Sequence, residues 1–174
     1  MKIYLLRHGI ASPRDPRVYP DDDARPLTPA GKSRMQTAAA GIKTAGIRFN
    51  LILSSPLPRA LQTARIVEET MTPAPTLKIL DALAPGGSPG DVLAAIPAKR
   101  APSSLLLVGH EPDLSRLASE LLSSRSSGLA LEMKKGSLCR IDTVGAPAPG
   151  TGTLVFLLPP RILRALAAAR RHVT

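Results

Sequence analysis

The sequence is poor in cysteine and in aromatic residues. Its 174 residues include one cysteine, two tyrosines, two phenylalanines and no tryptophan. One cysteine, Cys139, excludes an intramolecular disulfide and a cysteine-based metal site, and its apolar neighbours Leu138 and Ile141 indicate a structural place in a strand. An aromatic content of 2% leaves no stacking platform for single-stranded nucleic acid.

Long apolar runs are missing as well. The longest, at 105–108 and 154–158, are far too short to cross a bilayer, and a β-like run begins already at residue 3. We therefore expect a soluble cytoplasmic protein with no membrane partner. The chain length and a hydrophobic content of 44% suit a single domain over residues 1–174.

Acidic residues are few: the sequence has 13 Asp and Glu residues and 23 Lys and Arg residues, which give a formal net charge of +10. The basic residues are mostly dispersed, with isolated pairs at Lys99-Arg100, Lys134-Lys135 and Arg170-Arg171. We expect no nucleic-acid partner, although a basic field would steer an anionic, phosphorylated substrate. The acidic run Asp21 to Asp23 lacks the spacing of a calcium loop and is interpreted as solvated loop charge.

Short β-like runs alternate with longer helical patterns, which predicts an α/β sheet layered by helices. The predicted strands are 3–6, 51–54, 105–109, 138–142 and 153–158. Five helices are predicted. The first covers 29–45, the second runs from Ser55-Pro56 through Val67, and the third is a short helix after Ser88; the fourth begins at Pro112 and the fifth includes 162–169. The segments 10–27 and 143–152 are expected to be loops, and the first of them is expected to form a wall of the site.

Three predicted strand-to-helix junctions carry reactive polar groups. Arg7-His8-Gly9 follows the first strand, Ser54-Ser55-Pro56 with Arg59 one helical turn later follows the second, and Gly109-His110-Glu111 follows the third. Taken singly, Arg59 is more typical of a helix surface, and His110 is also compatible with a buried structural histidine. If the three strands are parallel neighbours, these groups meet at one sheet edge, where open α/β sheets bind ligands.

Two arginines and two histidines at one edge indicate phosphoryl transfer. Arg7 and Arg59 would bind the phosphoryl oxygens, and His8 would attack phosphorus as a neutral imidazole. Nearby guanidinium groups lower the pKa of such a histidine, and a backbone carbonyl bonded to one ring nitrogen would aim the other nitrogen at phosphorus. His110 would donate to a phosphoryl oxygen. This arrangement requires no metal and no cofactor, because its own cations supply the positive charge.

These residues lie in segments that together resemble the histidine phosphatase superfamily, which is phosphoglycerate mutase-like in fold, and within it the SixA-type phosphohistidine phosphatases. The similar segments are 5–11, 23–31 (Asp-Ala-Arg-Pro-Leu-Thr-Pro-Ala-Gly), 53–64, 108–114, 134–136 and 157–160. The resemblance implies a three-layer α/β/α sandwich with a mostly parallel central sheet. It also implies that His8 is the phosphorylated nucleophile and that Arg7, Arg59 and His110 form the phosphate pocket.

The resemblance further implies a metal-independent phosphatase whose partner is a protein phosphorylated on histidine. A phosphatase of small phosphomonoesters is the alternative, and an inactive module that binds phosphoprotein or nucleic acid is the alternative of another class. Ester cleavage benefits more from a general acid than cleavage of a labile P–N bond. Asp81 and Glu111 are the candidates for this acid, although Asp81 also fits a loop start and Glu111 a helix cap. We assign no role to His172.

Overall fold

The computed structural model describes residues 1–97, 102–125 and 127–169. The basic pairs Lys99-Arg100 and Arg170-Arg171, together with His172, lie outside the described residues. No helix within the described ranges combines the length and the apolar character that spanning a bilayer requires.

The described ranges contain six strands and five α-helices, which alternate along the chain except that β6 directly follows β5. The strands are β1 (Lys2–Arg7), β2 (Leu51–Ser54), β3 (Thr76–Ile79), β4 (Ser104–Gly109), β5 (Leu138–Thr143) and β6 (Gly152–Leu158). The helices are α1 (Pro29–Thr44), α2 (Pro58–Thr70), α3 (Pro89–Ala94), α4 (Asp113–Ser123) and α5 (Pro160–Ala169), with 3₁₀ turns at Asp22–Ala24 and Asp81–Leu83.

The strands form one sheet in the order β3-β2-β4-β1-β5-β6. The pairs β3–β2, β2–β4 and β4–β1 are parallel, whereas β5 and β6 pair in antiparallel fashion at the far side. The predicted mostly parallel sheet is therefore confirmed. Sequence analysis missed β3, because this short edge strand is largely exposed and has no apolar run to mark it.

Helices cover both faces of the sheet. Tyr4 and Leu6 of β1 face α1, α2 and α5, while Ile3 and Leu5 of the same strand face α3 and α4. A strand that is buried on both faces must be apolar at successive positions, which explains the continuous apolar runs of the central strands. The three-layer α/β/α arrangement is confirmed.

The antiparallel hairpin of β5 and β6 encloses the predicted loop at 143–152, which in the structure spans residues 144–151. Cys139 lies buried in β5, as the sequence predicts. Burial raises the pKa of its thiol to about 12, so the thiol stays protonated at neutral pH. Packing is therefore the role of Cys139.

Two predicted helix starts are confirmed by their caps, and one is displaced. Thr28 accepts a hydrogen bond from the backbone N–H of Gly31, and Ser88 accepts one from Asp91. Helix α2, however, begins at Pro58 rather than at Pro56, and its N-cap residue makes no side-chain bond. The hydroxyl of Ser55 is used in the site described below.

Helices α1 and α5 pack closely because Gly41 has no side chain. A Cβ atom at this position would overlap the backbone carbonyl oxygen of Leu163. Both residues are buried where the two helices meet. Any larger residue would have to push α5 away from α1.

We expect Gly41→Ala to lower the free energy of unfolding by about 1–3 kcal/mol through overpacking. Gly90→Ala is the matched control, because Gly90 lies in α3 and a new Cβ atom there would make only an ordinary contact, 3.9 Å from the Ser88 hydroxyl oxygen. This variant should be neutral or slightly stabilising. Urea unfolding measures both variants. An unchanged midpoint for Gly41→Ala would contradict this account of the α1–α5 contact.

Candidate active site

The three predicted junctions meet at one edge of the sheet. Strands β2, β4 and β1 are parallel neighbours, and Arg7 pairs with Gly109 in the register of β1 and β4. Beyond the strand ends, the backbone N–H of His8 donates to the carbonyl oxygen of Gly109 at 3.1 Å. The N–H of Ser55 donates to the carbonyl oxygen of Val108 at 2.9 Å. These bonds bring His8, Ser55 and His110 to the same edge.

The ring of His8 is fixed by the backbone next to it. Its Nδ1 atom lies 2.7 Å from the carbonyl oxygen of Gly9, and since a carbonyl only accepts, Nδ1 carries the proton. The unprotonated Nε2 atom then holds the lone pair that a nucleophile needs. The backbone N–H of Gly9 donates to the hydroxyl of Thr63 at 3.0 Å, which ties this turn to α2.

Both histidines are buried, and both have strongly lowered pKa values. Burial lowers the pKa of His8 to about 4, and the cations of Arg59, Arg7 and Lys135 act in the same direction. Burial likewise lowers the pKa of His110 to about 3, with further contributions from His8 and the arginines. The neighbouring cations were predicted to lower the pKa of His8, but desolvation by burial is the larger cause. Both rings are neutral at pH 7.

Ser55 holds His110 beside His8. The hydroxyl of Ser55 lies 2.8 Å from Nε2 of His110 and accepts the backbone N–H of Leu57 at 3.3 Å. The ring centroids of His8 and His110 are 5.1 Å apart. Ser55 and His110 were expected at the same sheet edge, but Ser55 was interpreted as a helix start, so its hydrogen bond to His110 was not predicted.

Arg7 presents an unsatisfied donor. One terminal nitrogen, Nη1, donates to the carbonyl oxygen of Met133 at 2.8 Å, but the buried Nε–H has no hydrogen-bond partner among the described residues. A buried donor without a partner is unfavourable by about 1–3 kcal/mol. An oxyanion bound in the adjacent cleft would satisfy it.

Arg59 is buried in the site, not placed on a helix surface. The residue is 5% exposed. Its Nη1 atom donates to the carbonyl oxygen of Asp22 at 2.9 Å, and its Nη2 atom lies 3.5 Å from the carboxylate of Asp23. The side chains of Asp22 and Asp23 are 33% and 58% exposed, which agrees with the interpretation as solvated loop charge, but both residues also reach back to Arg59, and this role was not predicted.

Asp22 also joins two further arginines that sequence analysis left without a role. Its carboxylate accepts hydrogen bonds from Arg14 at 2.7 Å and from Arg25 at 2.9 Å. These two side chains hold the pKa of Asp22 well below its usual range. The segment 10–27 thus forms a wall of the site, as predicted, and it does so through ion pairs.

Together these groups surround a cleft of about 410 Å³. Its lining comprises five cationic side chains, three carboxylates, both histidines and one proline: Arg7, Arg14, Arg25, Arg59, Lys135, Asp22, Asp23, Glu111, His8, His110 and Pro85. Among the described residues, no group of three or more His, Cys, Asp or Glu side chains is placed to hold a metal ion. The cleft is suited to a phosphoryl group.

The two candidate acids occupy different places. Glu111 lines the cleft, where burial raises the pKa of its carboxyl group and the hydroxyl of Ser115 donates to it at 2.8 Å. Asp81 is exposed at the start of a 3₁₀ turn and does not line the cleft. The geometry favours Glu111 over Asp81 as a proton donor.

Comparison with known proteins decides the family. A sequence model described as histidine phosphatase superfamily (branch 1) matches residues 3–84, a span that includes Arg7, His8 and Arg59. The chain belongs to the histidine phosphatase superfamily. An uncharacterized protein from Picosynechococcus sp. is 40% identical over 161 residues, which cover 91% of this chain and 95% of that protein.

Solved structures agree with this membership. The protein histidine phosphatase SixA complexed with tungstate has a TM-score of 0.79 and 26% identity, and the match covers 94% of this chain and 99% of that one. A putative α-ribazole-5'-P phosphatase from Escherichia coli str. K-12 substr. MG1655 has a TM-score of 0.70 and 18% identity, with 92% and 97% covered. This second likeness is one of fold alone. Membership of the superfamily and the likeness to solved phosphatase structures support phosphatase activity.

The lowered pKa values of the two histidines predict a pH dependence of the stability of this protein. In the unfolded chain a histidine titrates near 6.5, so as the pH falls from about 6.5 toward 4 the unfolded chain binds protons that folded His8 does not. The free energy of unfolding therefore decreases with falling pH in this window. We expect His8→Gln to reduce the slope by up to about 1.4 kcal/mol per pH unit.

Urea unfolding of both proteins between pH 4.5 and 7.5 measures this slope. His8→Gln removes the titrating ring and keeps a polar side chain of similar size. Equal slopes for the variant and the unsubstituted protein would contradict a neutral, buried His8.

Proposed function

We propose that this chain is a metal-independent phosphatase that removes phosphate from phosphohistidine on a protein, through a phosphorylated His8 intermediate. The observation that carries the proposal is the state of His8: neutral, buried, with Nδ1–H bonded to the Gly9 carbonyl and Nε2 unprotonated. This is the state required for in-line attack on phosphorus.

In the first step the lone pair on His8 Nε2 attacks phosphorus, and the bond from phosphorus to the substrate nitrogen breaks. The bonding electrons stay on that nitrogen, which takes up a proton from the solvent and leaves as imidazole. In the second step water attacks the phosphorus on His8, the P–Nε2 bond breaks, its electrons return to the ring, and the attacking water releases one proton to the solvent. The products are inorganic phosphate and the free enzyme.

The arginines would stabilise the charge on the transferred group. The transition state spreads negative charge over the equatorial oxygens, and catalysis consists largely of positioning and electrostatic stabilisation. The unpartnered Nε–H of Arg7 and the guanidinium of Arg59 would bind this charge with little reorganisation, because Nη1 of each arginine is held by a backbone carbonyl oxygen. Neutral His110 adds a polar ring beside His8.

The alternative substrate is a small phosphomonoester. The observation that favours it is Glu111, whose raised pKa and position in the cleft suit a proton donor to an alkoxide leaving group. A phosphohistidine needs less assistance, because its P–N bond is labile. The dependence of turnover on the Glu111 carboxyl group therefore distinguishes the two substrate classes.

Mixing the enzyme with a ³²P-labelled phosphohistidine protein and quenching within milliseconds should trap acid-labile, base-stable phosphate on His8. His8→Ala should form no such adduct and lose activity by at least about a thousandfold. His172→Ala is the matched control and should label and turn over normally. Unimpaired turnover by His8→Ala would rule out the proposed nucleophile.

Glu111→Gln tests the substrate class. If Glu111 protonates the leaving group, the variant should lose about a hundredfold in kcat/KM on an alkyl phosphomonoester and no more than about threefold on phosphoramidate. Asp81→Asn, the control at the exposed candidate, should affect neither substrate. An unsubstituted enzyme that is much more efficient on esters than on phosphohistidine protein would reject the protein substrate.

A further inference from the structure

Several basic side chains around the active-site cleft have no counter-ion among the residues that the structure describes. Five cations near the active-site cleft make no side-chain ion pair or hydrogen bond within the described part of the chain: Arg34, Lys134, Lys135, Arg161 and Arg164. By contrast, Arg14, Arg25 and Arg59, which lie inside the cleft, are all bound to carboxylates. Cations that are paired with carboxylates therefore lie inside the cleft, next to cations that have no such partner.

The five unpaired cations line one continuous path. Lys135 lines both the active-site cleft and a neighbouring depression of about 130 Å³ that also includes Arg34 and Arg164. Arg164 lines in turn a groove of about 450 Å³, together with Lys134 and Arg161. We call this path, from Lys135 to Arg161, the basic groove.

The fold ties the basic groove to the catalytic edge. The turn that carries Lys134 and Lys135 makes three hydrogen bonds with Arg7. Nη1 of Arg7 donates to the Met133 carbonyl oxygen, the backbone N–H of Arg7 donates to the Ser137 carbonyl oxygen at 3.2 Å, and the N–H of Gly136 donates to the Arg7 carbonyl oxygen at 3.0 Å. Arg161 and Arg164 lie three residues apart on α5, and so share a face of that helix. A ligand in the groove would be held in register with His8.

We propose that the basic groove docks an acidic surface of the protein whose phosphohistidine enters the cleft. This inference rests on the proposed function and names the chemistry of its substrate: a phosphoprotein with carboxylates flanking the phosphorylated histidine. Cations that repel one another and lack counter-ions are stabilised by binding an anionic partner. The same charge complementarity raises the rate at which the two proteins encounter each other.

The groove is better suited to a protein than to the other anionic ligands. A small phosphorylated molecule would fill the cleft and leave Arg161 and Arg164 uncovered. The residues between the cations are glycine, alanine, isoleucine, methionine and proline, so no aromatic ring is present to stack on bases. Lys135 belongs to both regions, and its pKa is lowered by burial and by the nearby cations of Arg7, Arg25 and Arg59.

A charge-reversal pair tests the proposal. The groove variant is Arg161→Glu with Arg164→Glu. The control is Arg65→Glu with Lys78→Glu, which changes the net charge equally at exposed positions on α2 and β3, outside the groove. The substrates are an acidic phosphotransfer domain phosphorylated on histidine and, as a small probe, phosphoramidate.

On the phosphoprotein, the groove variant should lose at least tenfold in kcat/KM, mainly through KM, while phosphoramidate turnover stays within twofold. The control variant should lose less than threefold on the phosphoprotein. Equal losses for the two variants, or no loss for the groove variant, would overturn docking at this groove.

A binding measurement separates this proposal from the proposed function. In a His8→Ala background, fluorescence anisotropy of the labelled phosphoprotein should report binding that the groove substitutions weaken at least tenfold and that 0.3 M NaCl weakens similarly. No turnover of either substrate by the unsubstituted enzyme would refute the proposed function alone. Groove-dependent binding of duplex DNA, without groove-dependent binding of the phosphoprotein, would replace the protein partner with nucleic acid.

Discussion

The parallel pairing of β1 with β4 is the contact on which the site depends. It places Arg7 opposite Gly109 and lets the N–H of His8 bond to the Gly109 carbonyl oxygen, so that the two histidines follow adjacent strand ends. A slip of one residue would turn every side chain of β1 to the other face of the sheet. Both faces of β1 and β4 are buried in apolar cores, and that burial fixes the register.

The site combines a neutral histidine, the proposed nucleophile His8, with concentrated positive charge. Burial keeps the His8 ring neutral, and the nearby cations reinforce this effect because they disfavour a further proton. The guanidinium of Arg59 is held by the Asp22 carbonyl oxygen and lies near the Asp23 carboxylate, so its position is set before any substrate arrives. Such preorganisation is the main electrostatic contribution that a protein makes to phosphoryl transfer.

Local patterns predicted the parts of the site that follow apolar strands. Arg7, His8 and His110 each stand directly after a buried run, and the shared edge follows from parallel order alone. The structure added contacts between distant segments, such as Ser55 with His110 and Asp22 with Arg59. Ser55 and His110 were expected at the same edge but without a hydrogen bond between them, and the bond from Arg59 to Asp22 depends on how the loop 10–27 folds back over that edge. The strand β3 was not predicted for a different reason: little of it is buried, so no apolar run marks it.

A crystal structure with orthovanadate tests the central claim most directly, because vanadate mimics the five-coordinate phosphorus of in-line attack. Our account predicts vanadium bonded to Nε2 of His8, with its equatorial oxygens bound by Arg7 and Arg59 and the bond from Nδ1 to the Gly9 carbonyl oxygen intact. Vanadate bound away from His8, or bonded to Nδ1 after that hydrogen bond is lost, would contradict the assignment of His8 as the nucleophile.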